Sequence, residues 1–526
     1  MPAACSRANR TSGRTITEQF HAFDAHNPHV YSALERMAAR RLAAGATRIS
    51  LKDLFEDLRQ QLPYGVPGLN NNFTALYARK LIAAHPHCAS ASSYAAAVPT
   101  DSPPCPYCRP TIRRPPSLSA RPLLLVVDPG DETYRGYCLE QVAAAYDVVL
   151  LTGTEPSWEK PYIVDHAVVD LHDDAALLAA GRALAARRKL AGVVTWQEWH
   201  LVPTARLARA LGLPANSVEV MRACRNKATA RTLFARHGVP SAATMKARTP
   251  PEAERATATI GFPAVIKPAA SAGSIGVIRI DRPEELPAAF EFASAGASQS
   301  REDTGVLVEE YLDGPEVSVE CVTHRGKTTA VAVTRKSLGP APYFYETGHT
   351  VDATDPLLPQ VAPVAAAAVK AVGITDGVQH VEMRLVDGRP RLIEVNARIG
   401  GDMIGHLVRL ATGIDLPKAA ADLACGRTPD LTPTRRQAAG IRMLYPAASG
   451  MLTDRQVNQP FAAHTPWLRQ VQWMRQVGDP LLLPPAGDLF TARAGFYIVT
   501  GRDTGEVNER LEMAAEEIAV TTRAER

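Results

Sequence analysis

The chain has 526 residues, 46% hydrophobic and 21% charged, a globular composition long enough for three or four domains that excludes fibrous and wholly disordered classes. The net charge is +4, but residues 1–120 hold 14 Lys/Arg against 7 Asp/Glu and the rest 44 against 47, so the basic excess is N-terminal. No apolar run approaches about 18 residues and no apolar core follows the basic Met1–Arg14 stretch, so neither a membrane span nor a secretory signal is read, and a cytoplasmic location is expected.

Residues 16–87 read as a small helical domain. Asn27-Pro28 caps a first helix whose apolar face is Val30, Leu34, Met37, Ala38 and Leu42, ending at Gly45. A second starts at Ser50, with Asp53 three residues on, and a third near Asn72 carries Phe73, Leu76 and Tyr77. The order is compatible with a winged-helix-like layout. Nucleic-acid binding is the weaker expectation here, behind protein docking or a structural role, because a basic balance alone says little. Residues 88–120, rich in Pro, Ala and Ser, read as a linker. Cys105 and Cys108, preceded by His85, His87 and Cys88, leave zinc binding and redox chemistry open, with plain linker thiols favoured. Cys138, Cys224, Cys321 and Cys425 stand singly in apolar surroundings and are expected to be buried thiols.

Residues 121–222 alternate strand and helix signals. Strands are expected at Leu123–Val127, Val148–Leu151, His166–Val169 and Gly192–Thr195, with helices at Gly136–Ala144, Ala175–Leu190 and Leu201–Leu211, which predicts an open parallel α/β sheet. Such sheets bind ligands beyond the carboxyl ends of their strands, so Asp128, Gly130 and Thr195–Trp199 are candidate substrate-facing loops, with Trp196 and Trp199 read as packing residues.

Further on, Arg225-Asn226-Lys227 begins a helix that ends at Gly238, and an apolar strand ends in Lys267 just before the small Ser271–Gly276 loop. A lysine beside close backbone N–H groups suits phosphate oxygens, although no GxxxxGK[ST] motif is present. Gly305–Leu312 forms a strand carrying Glu309 and Glu310 into Asp313-Gly314-Pro315-Glu316. The stretch Asp376–Asp402 reads as a β-hairpin turning at Asp387-Gly388. Its alternation sets Glu382, Glu394 and Asn396 on one face, a hard oxygen cluster of the kind Mg²⁺ takes, with Arg398 following.

In this order Lys227, Lys267, the Gly/Ser loop, VEEYLDGPE, HVE and EVNAR resemble the ATP-grasp superfamily of carboxylate–amine ligases, over about 121–526. The likeness within it is to L-amino-acid ligases. The resemblance implies an α/β and α+β chain: a Rossmann-like pre-ATP domain at 121–222, a two-lobed ATP-grasp domain at 223–435 and a C-terminal α+β domain at 436–526, preceded by the extra helical domain. It implies ATP and Mg²⁺, with Mn²⁺ able to substitute, small carboxylate and amine substrates, and a homodimer. Lys227 and Lys267 would contact phosphates, and Ser271, Gly273, Ser274 and Gly276 would cover them. Glu309 with the backbone of Glu310 and Leu312 would read the adenine edge, and Glu316 the ribose. Glu382, Glu394 and Asn396 would hold metal, and Arg398 would stabilise the transferring phosphoryl group. Glu346 would hold a substrate ammonium, His349 would orient a carboxylate or assist proton removal, and Gly400, Gly401 and Asp402 would help Arg398 hold the reacting carboxylate.

Overall fold

A computed structural model describes residues 121–298 and 305–524, with nine further positions between Asp24 and Lys80. The chain divides into two units, Met1–Arg114 and Pro115–Arg526. In the first, all nine described residues are helical, and Val30, Leu34, Met37 and Ala38 are buried, as the helical spacing predicts. Leu54 and Tyr77 are buried too, Tyr77 stacks on Tyr31, and Lys80 pairs with Asp24 at 2.5 Å. The winged-helix layout, the linker and Cys105/Cys108 lie outside the described residues.

The second unit opens with a parallel sheet of β1 (Leu123–Val127), β2 (Asp147–Thr152), β3 (Asp165–Val168) and β4 (Gly192–Val194), in the order β3-β2-β1-β4. Leu124, Val126, Val148 and Leu150 pack into one apolar cluster, while Leu125, Val127, Val149 and Leu151 pack into another with Leu177 and Leu207. Both faces are covered, which is why these strands read as unbroken apolar runs. Next comes an antiparallel sheet of β5 (Thr244–Ala247), β6 (Ala264–Pro268), β7 (Ile278–Ile280) and β8 (Val306–Glu310), ordered β5-β8-β6-β7. Helices Pro250–Ile260 and Leu286–Ser298 seal it with alanines, Ala253, Ala256, Ala289 and Ala293, whose small side chains let helix and sheet lie close.

The remaining strands are β9 (Glu316–His324), β10 (Lys327–Leu338), β11 (Glu346–Asp352), β12 (Gly377–Val386), β13 (Arg389–Asn396), β14 (Ala438–Leu444), β15 (Gly450–Val457), β16 (Leu468–Trp473), β17 (Pro480–Leu481), β18 (Gly495–Gly501) and β19 (Ile518–Arg523). Eight form one sheet, β13-β12-β9-β10-β11-β14-β18-β16, and three form another, β17-β15-β19. Period-2 alternation sends Val319 and Cys321 of β9 toward helix Leu358–Val372, and Val322 toward helix Ile404–Thr412. The sheet runs across the boundary expected at 435/436, since β11 pairs with β14 and Thr350 faces Gly440. Gly440 suits that place: a Cβ there would stand 2.6 Å from Val507 on helix Thr504–Glu517. The hairpin turns where expected, with Asp387 at φ 48 and Gly388 at φ 74, the left-handed pair a tight two-residue turn requires. Among the described residues no helix is long and apolar enough to cross a membrane.

Candidate active site

Glu382 on β12 is the cross-strand neighbour of Glu394 on β13, and Asn396 lies two residues further along the same strand face. Asn396 Nδ2 donates to Glu394 Oε1 at 2.9 Å and to Glu382 Oε1 at 3.4 Å, so three side chains meet at one point. Each carboxylate has a resident cation. Lys227 Nζ stands 2.7 Å from Glu394, while Lys336 Nζ stands 3.2 Å and His380 Nε2 3.0 Å from Glu382. Burial pushes the Glu382 carboxyl up, but Lys336 and His380 outweigh it and hold the group well below the usual range. The other face of His380 meets the buried Glu320 at 2.9 Å; although burial works against the charged ring, the two carboxylates raise it to about 9. Two carboxylates and an amide are hard donors of the type Mg²⁺ takes, and a half-turn of the Asn396 amide would present its oxygen to the same point, so the donor set fits that ion.

Lys227 opens helix Lys227–Arg236 because Asn226 caps it, accepting from Thr229 N at 3.0 Å, and its Nζ also donates to Ser271 O at 2.9 Å. Lys267 is next to last in β6, is 4% exposed, and its Nζ lies 2.5 Å from Glu309 Oε2. Glu309 also accepts from Arg231 at 2.9 and 3.1 Å and from Thr244 Oγ1 at 2.9 Å. Its carboxylate is therefore given to two buried cations and not to a nucleotide edge, because charges this deep must be neutralised locally. Burial would raise this carboxyl; Arg231 and Lys267 bring it down to about 2. Glu310 is likewise held by Arg391, at 2.5 and 2.8 Å, and Leu312 O accepts from Arg384 at 3.1 Å, while both residues line the cavity. Glu316 accepts from Arg384 Nε at 3.1 Å and lies 3.4 Å from Lys336.

Ser271, Gly273 and Ser274 line the same cavity, with Gly273 at φ 64 and Ser274 at φ 55. Gly276 does not line it. A Cβ there would come 3.1 Å from Gly296 Cα and 3.0 Å from Pro268, so this glycine seats the loop on helix Leu286–Ser298 and does not face a ligand. Leu489 and Phe490 cover the loop from above, 3.2 and 3.4 Å from a Cβ at Gly273.

At the other end of the cavity Arg398 Nε stands 2.6 Å from Glu198, which also pairs with Arg225 at 2.9 Å. Arg225 in turn lies over the Trp199 ring at 4.6 Å. Trp196 packs as expected and donates to Pro129 O, but Trp199 is 43% exposed and lines the cavity. Glu346, Gly401 and Asp402 line it as well; Gly400 does not, because its Cα backs onto His380 and its carbonyl accepts from Arg135 at 2.9 Å. His349 is 1% exposed, with Nε2 3.2 Å from Asp402 and 3.6 Å from Glu346. It does not line the cavity, because β11 is buried on both faces from Gly348 to Asp352, so it offers no surface for the expected direct contact with substrate. Asp402 is an anion paired with Arg493 at 2.7 Å, which removes it as a holder of a substrate carboxylate.

Reading the sequence assigned no role to Lys336, Glu320 or Arg493, and reached Glu198 only within the candidate Thr195–Trp199 segment and His380 only within the HVE motif. Lys336 had a usable signal, an ionic residue on a strand rich in β-branched residues. Arg493 had none, since its partners lie in sequence-distant segments. The four lone cysteines come out as three buried thiols and a half-buried Cys425.

The ATP-grasp domain model matches residues 260–406, and the ATP-grasp N-terminal domain model residues 142–215. Carnosine synthase 1 of Homo sapiens is 31% identical over 287 residues, 51% of this chain and 34% of that one, so this chain spans about a third of that relative's length. D-alanine--D-alanine ligase of Cupriavidus taiwanensis is 28% identical over 244 residues, 43% of this chain and 72% of that one. The crystal structure of an L-amino acid ligase from Bacillus licheniformis superposes with a TM-score of 0.64 at 22% identity, covering 77% of this chain and 100% of that one. Residues 142–215 thus carry an ATP-grasp N-terminal domain and residues 260–406 an ATP-grasp domain, in that order along the fold of the superposed ligase.

Proposed function

We propose that the protein is an ATP-dependent ligase that activates a carboxylate as an acyl phosphate and joins it to an amine, with amino acids as substrates and ADP and phosphate as the other products. One observation carries the reading: Glu382 and Glu394, both bonded by Asn396, line the same cavity as Lys227, Lys267, the Ser271–Ser274 loop and Arg398. Phosphoryl transfer asks for positioning and charge neutralisation more than for covalent chemistry, and such a set supplies both. Relatives named as carnosine synthase and D-alanine--D-alanine ligase support the carboxylate–amine class.

In this reading Lys227 and Lys267 attract the phosphate oxygens, with Lys267 aimed by Glu309, while the buried Lys336 holds Glu316, Glu346 and Glu382 together. The loop N–H groups at Ser271, Gly273 and Ser274 cover the phosphates, and Leu489 and Phe490 keep water from them. The backbone at Glu310 and Leu312 borders the base, and Glu316 receives the ribose. Glu382, Glu394 and Asn396 would hold Mg²⁺, which neutralises phosphate charge when bound. The substrate carboxylate attacks the γ-phosphorus and the bond to the ADP oxygen breaks, while Arg398, oriented by Glu198, stabilises the charge on the transferred group. The amine then adds to the acyl carbon, and phosphate departs with the C–O bond electrons as the amine loses its proton. The reading takes the enzyme as a cytoplasmic homodimer, which sedimentation and fractionation check. A screen of amino-acid pairs with ATP and Mg²⁺ tests the chemistry: ADP and phosphate are expected in equal amounts, and release of AMP and pyrophosphate would refute the acyl-phosphate route.

A further inference from the structure

A second cavity, of about 130 Å³, shares one wall residue with the first, and that residue is Arg398. It begins at Val193–Thr195, the carboxyl end of β4, where an open parallel sheet takes ligands. Helices Leu201–Ala210, Val218–Arg225 and Leu416–Ala424 and the segment Ala397–Ile399 enclose the rest. Val194, Leu201, Ala205, Met221, Ile399 and Leu423 make the lining mainly apolar.

Most polar side chains in this wall are already engaged. Thr195 Oγ1 accepts from Gln197 N at 3.1 Å, Asn216 Oδ1 from Thr375 N at 2.8 Å and Asp376 Oδ1 from Arg325 N at 2.9 Å. Arg398 faces Glu198 through Nε and donates from Nη1 to Ile399 O at 2.9 Å. Thr204 differs. It is 7% exposed and lines the cavity, yet its Oγ1 has no hydrogen-bond partner among the described residues. A helical threonine ordinarily returns its hydroxyl to the carbonyl four residues back, as Thr232, Thr257 and Thr412 do here at 3.1, 3.1 and 2.7 Å. A buried hydroxyl left unpaired lowers stability, so a group that bonds it from the cavity would be gripped there.

An apolar cavity of roughly 150 Å³ takes up a benzene-sized guest, so this one suits a molecule of about six to eight heavy atoms. A charged guest is disfavoured, because an apolar wall does not offset its desolvation, and Arg398 and Asp376 already have partners in Glu198 and His324. We propose that the cavity is a second binding site, for a small uncharged molecule with a ring-sized apolar body and one hydroxyl or carbonyl group bonded to Thr204. Its occupant crowds Ala397–Ile399, the wall that carries Arg398, and a shift of about 1 Å in a catalytic group is enough to cost rate. Binding at this site is independent of the ligase reading; only the effect on turnover rests on it.

4-Fluorophenol and 4-fluorotoluene, similar in size and different by one hydroxyl, report binding to the full chain by ¹⁹F NMR. Both should bind saturably, and saturating ATP with Mg²⁺ should displace neither. Thr204→Val, close to it in shape, should weaken 4-fluorophenol about tenfold, keep 4-fluorotoluene within about twofold, and leave the melting temperature unchanged or higher. Ala420→Leu, which fills the cavity from helix Leu416–Ala424, should weaken both about tenfold or more. In coupled phosphate release 4-fluorophenol should lower kcat about twofold or more with KM for ATP unchanged, and Thr204→Val should not respond at the same concentration. No saturable binding, displacement by ATP, or an equal shift of both probes in Thr204→Val overturns the site. Binding that leaves kcat untouched in an active enzyme overturns the link to Arg398. A wild-type enzyme inactive with every amino-acid pair would sink the ligase reading and leave the NMR test of the site to decide on its own.

Discussion

Glu309 carries its charge at 3% exposure because Lys267 and Arg231 meet it there. Replacing it with Gln leaves two buried cations without an anion, so Glu309→Gln should lower stability by about 3–5 kcal/mol in denaturant unfolding. The wild-type carboxyl is depressed from 4.5 to about 2, so its stabilising effect is complete above about pH 4.5 and is lost as pH falls toward 2. Melting temperature should drop across that window, and the slope should flatten in Glu309→Gln. Glu394→Gln acts on chemistry instead: ADP formation should fall by about 10²-fold or more, with far-UV circular dichroism unchanged. The Glu382–Glu394–Asn396 point was legible because hairpin parity turns residue numbers into faces of a sheet. The role of Lys336 was not legible, since parity says at most which face a side chain takes and not which carboxylates converge on it from β9, β11 and β12. His349 shows the same limit from the other side: read as a group that meets substrate, it is buried on β11 against Asp402 and Glu346.

The Ser271–Gly276 loop and the Leu489–Ala492 turn of helix form one working unit despite their separation in sequence. Phe490→Ala removes an aromatic cover from Gly273 without opening a buried core, since Phe490 is itself 47% exposed. KM for ATP should rise about threefold with the melting temperature held, and stopped-flow release of a fluorescent ADP analogue should be faster. The parallel strands were readable as elements because both faces are buried, and the small lobe because its glycines punctuate it. The union of β14, β16 and β18 with the central sheet was not, because alternation fixes what a strand buries but leaves its hydrogen-bonding neighbour open.

Residues 115–526 hold every group of the proposed site, so that fragment alone should form ADP at the rate of the full chain, measured by coupled phosphate release. A chain ending at Arg436 should behave in the opposite way. It loses three of the eight strands and Arg493, leaves β11 as an unpaired edge beside a core stripped of Ile441, Phe496 and Ile498, and should be recovered in the insoluble fraction. The strand order also sets a timetable for synthesis. β11 waits for β14, and β14 stays open on one side until β18, which lies between β14 and β16, has been made. At about 5–20 residues per second, the stretch from Leu444 to Gly501 leaves that edge unpaired for several seconds on the ribosome. Arg493, which grips Asp402, emerges just before the sealing strand, so the stretch that finishes the sheet also supplies the cation that holds that carboxylate.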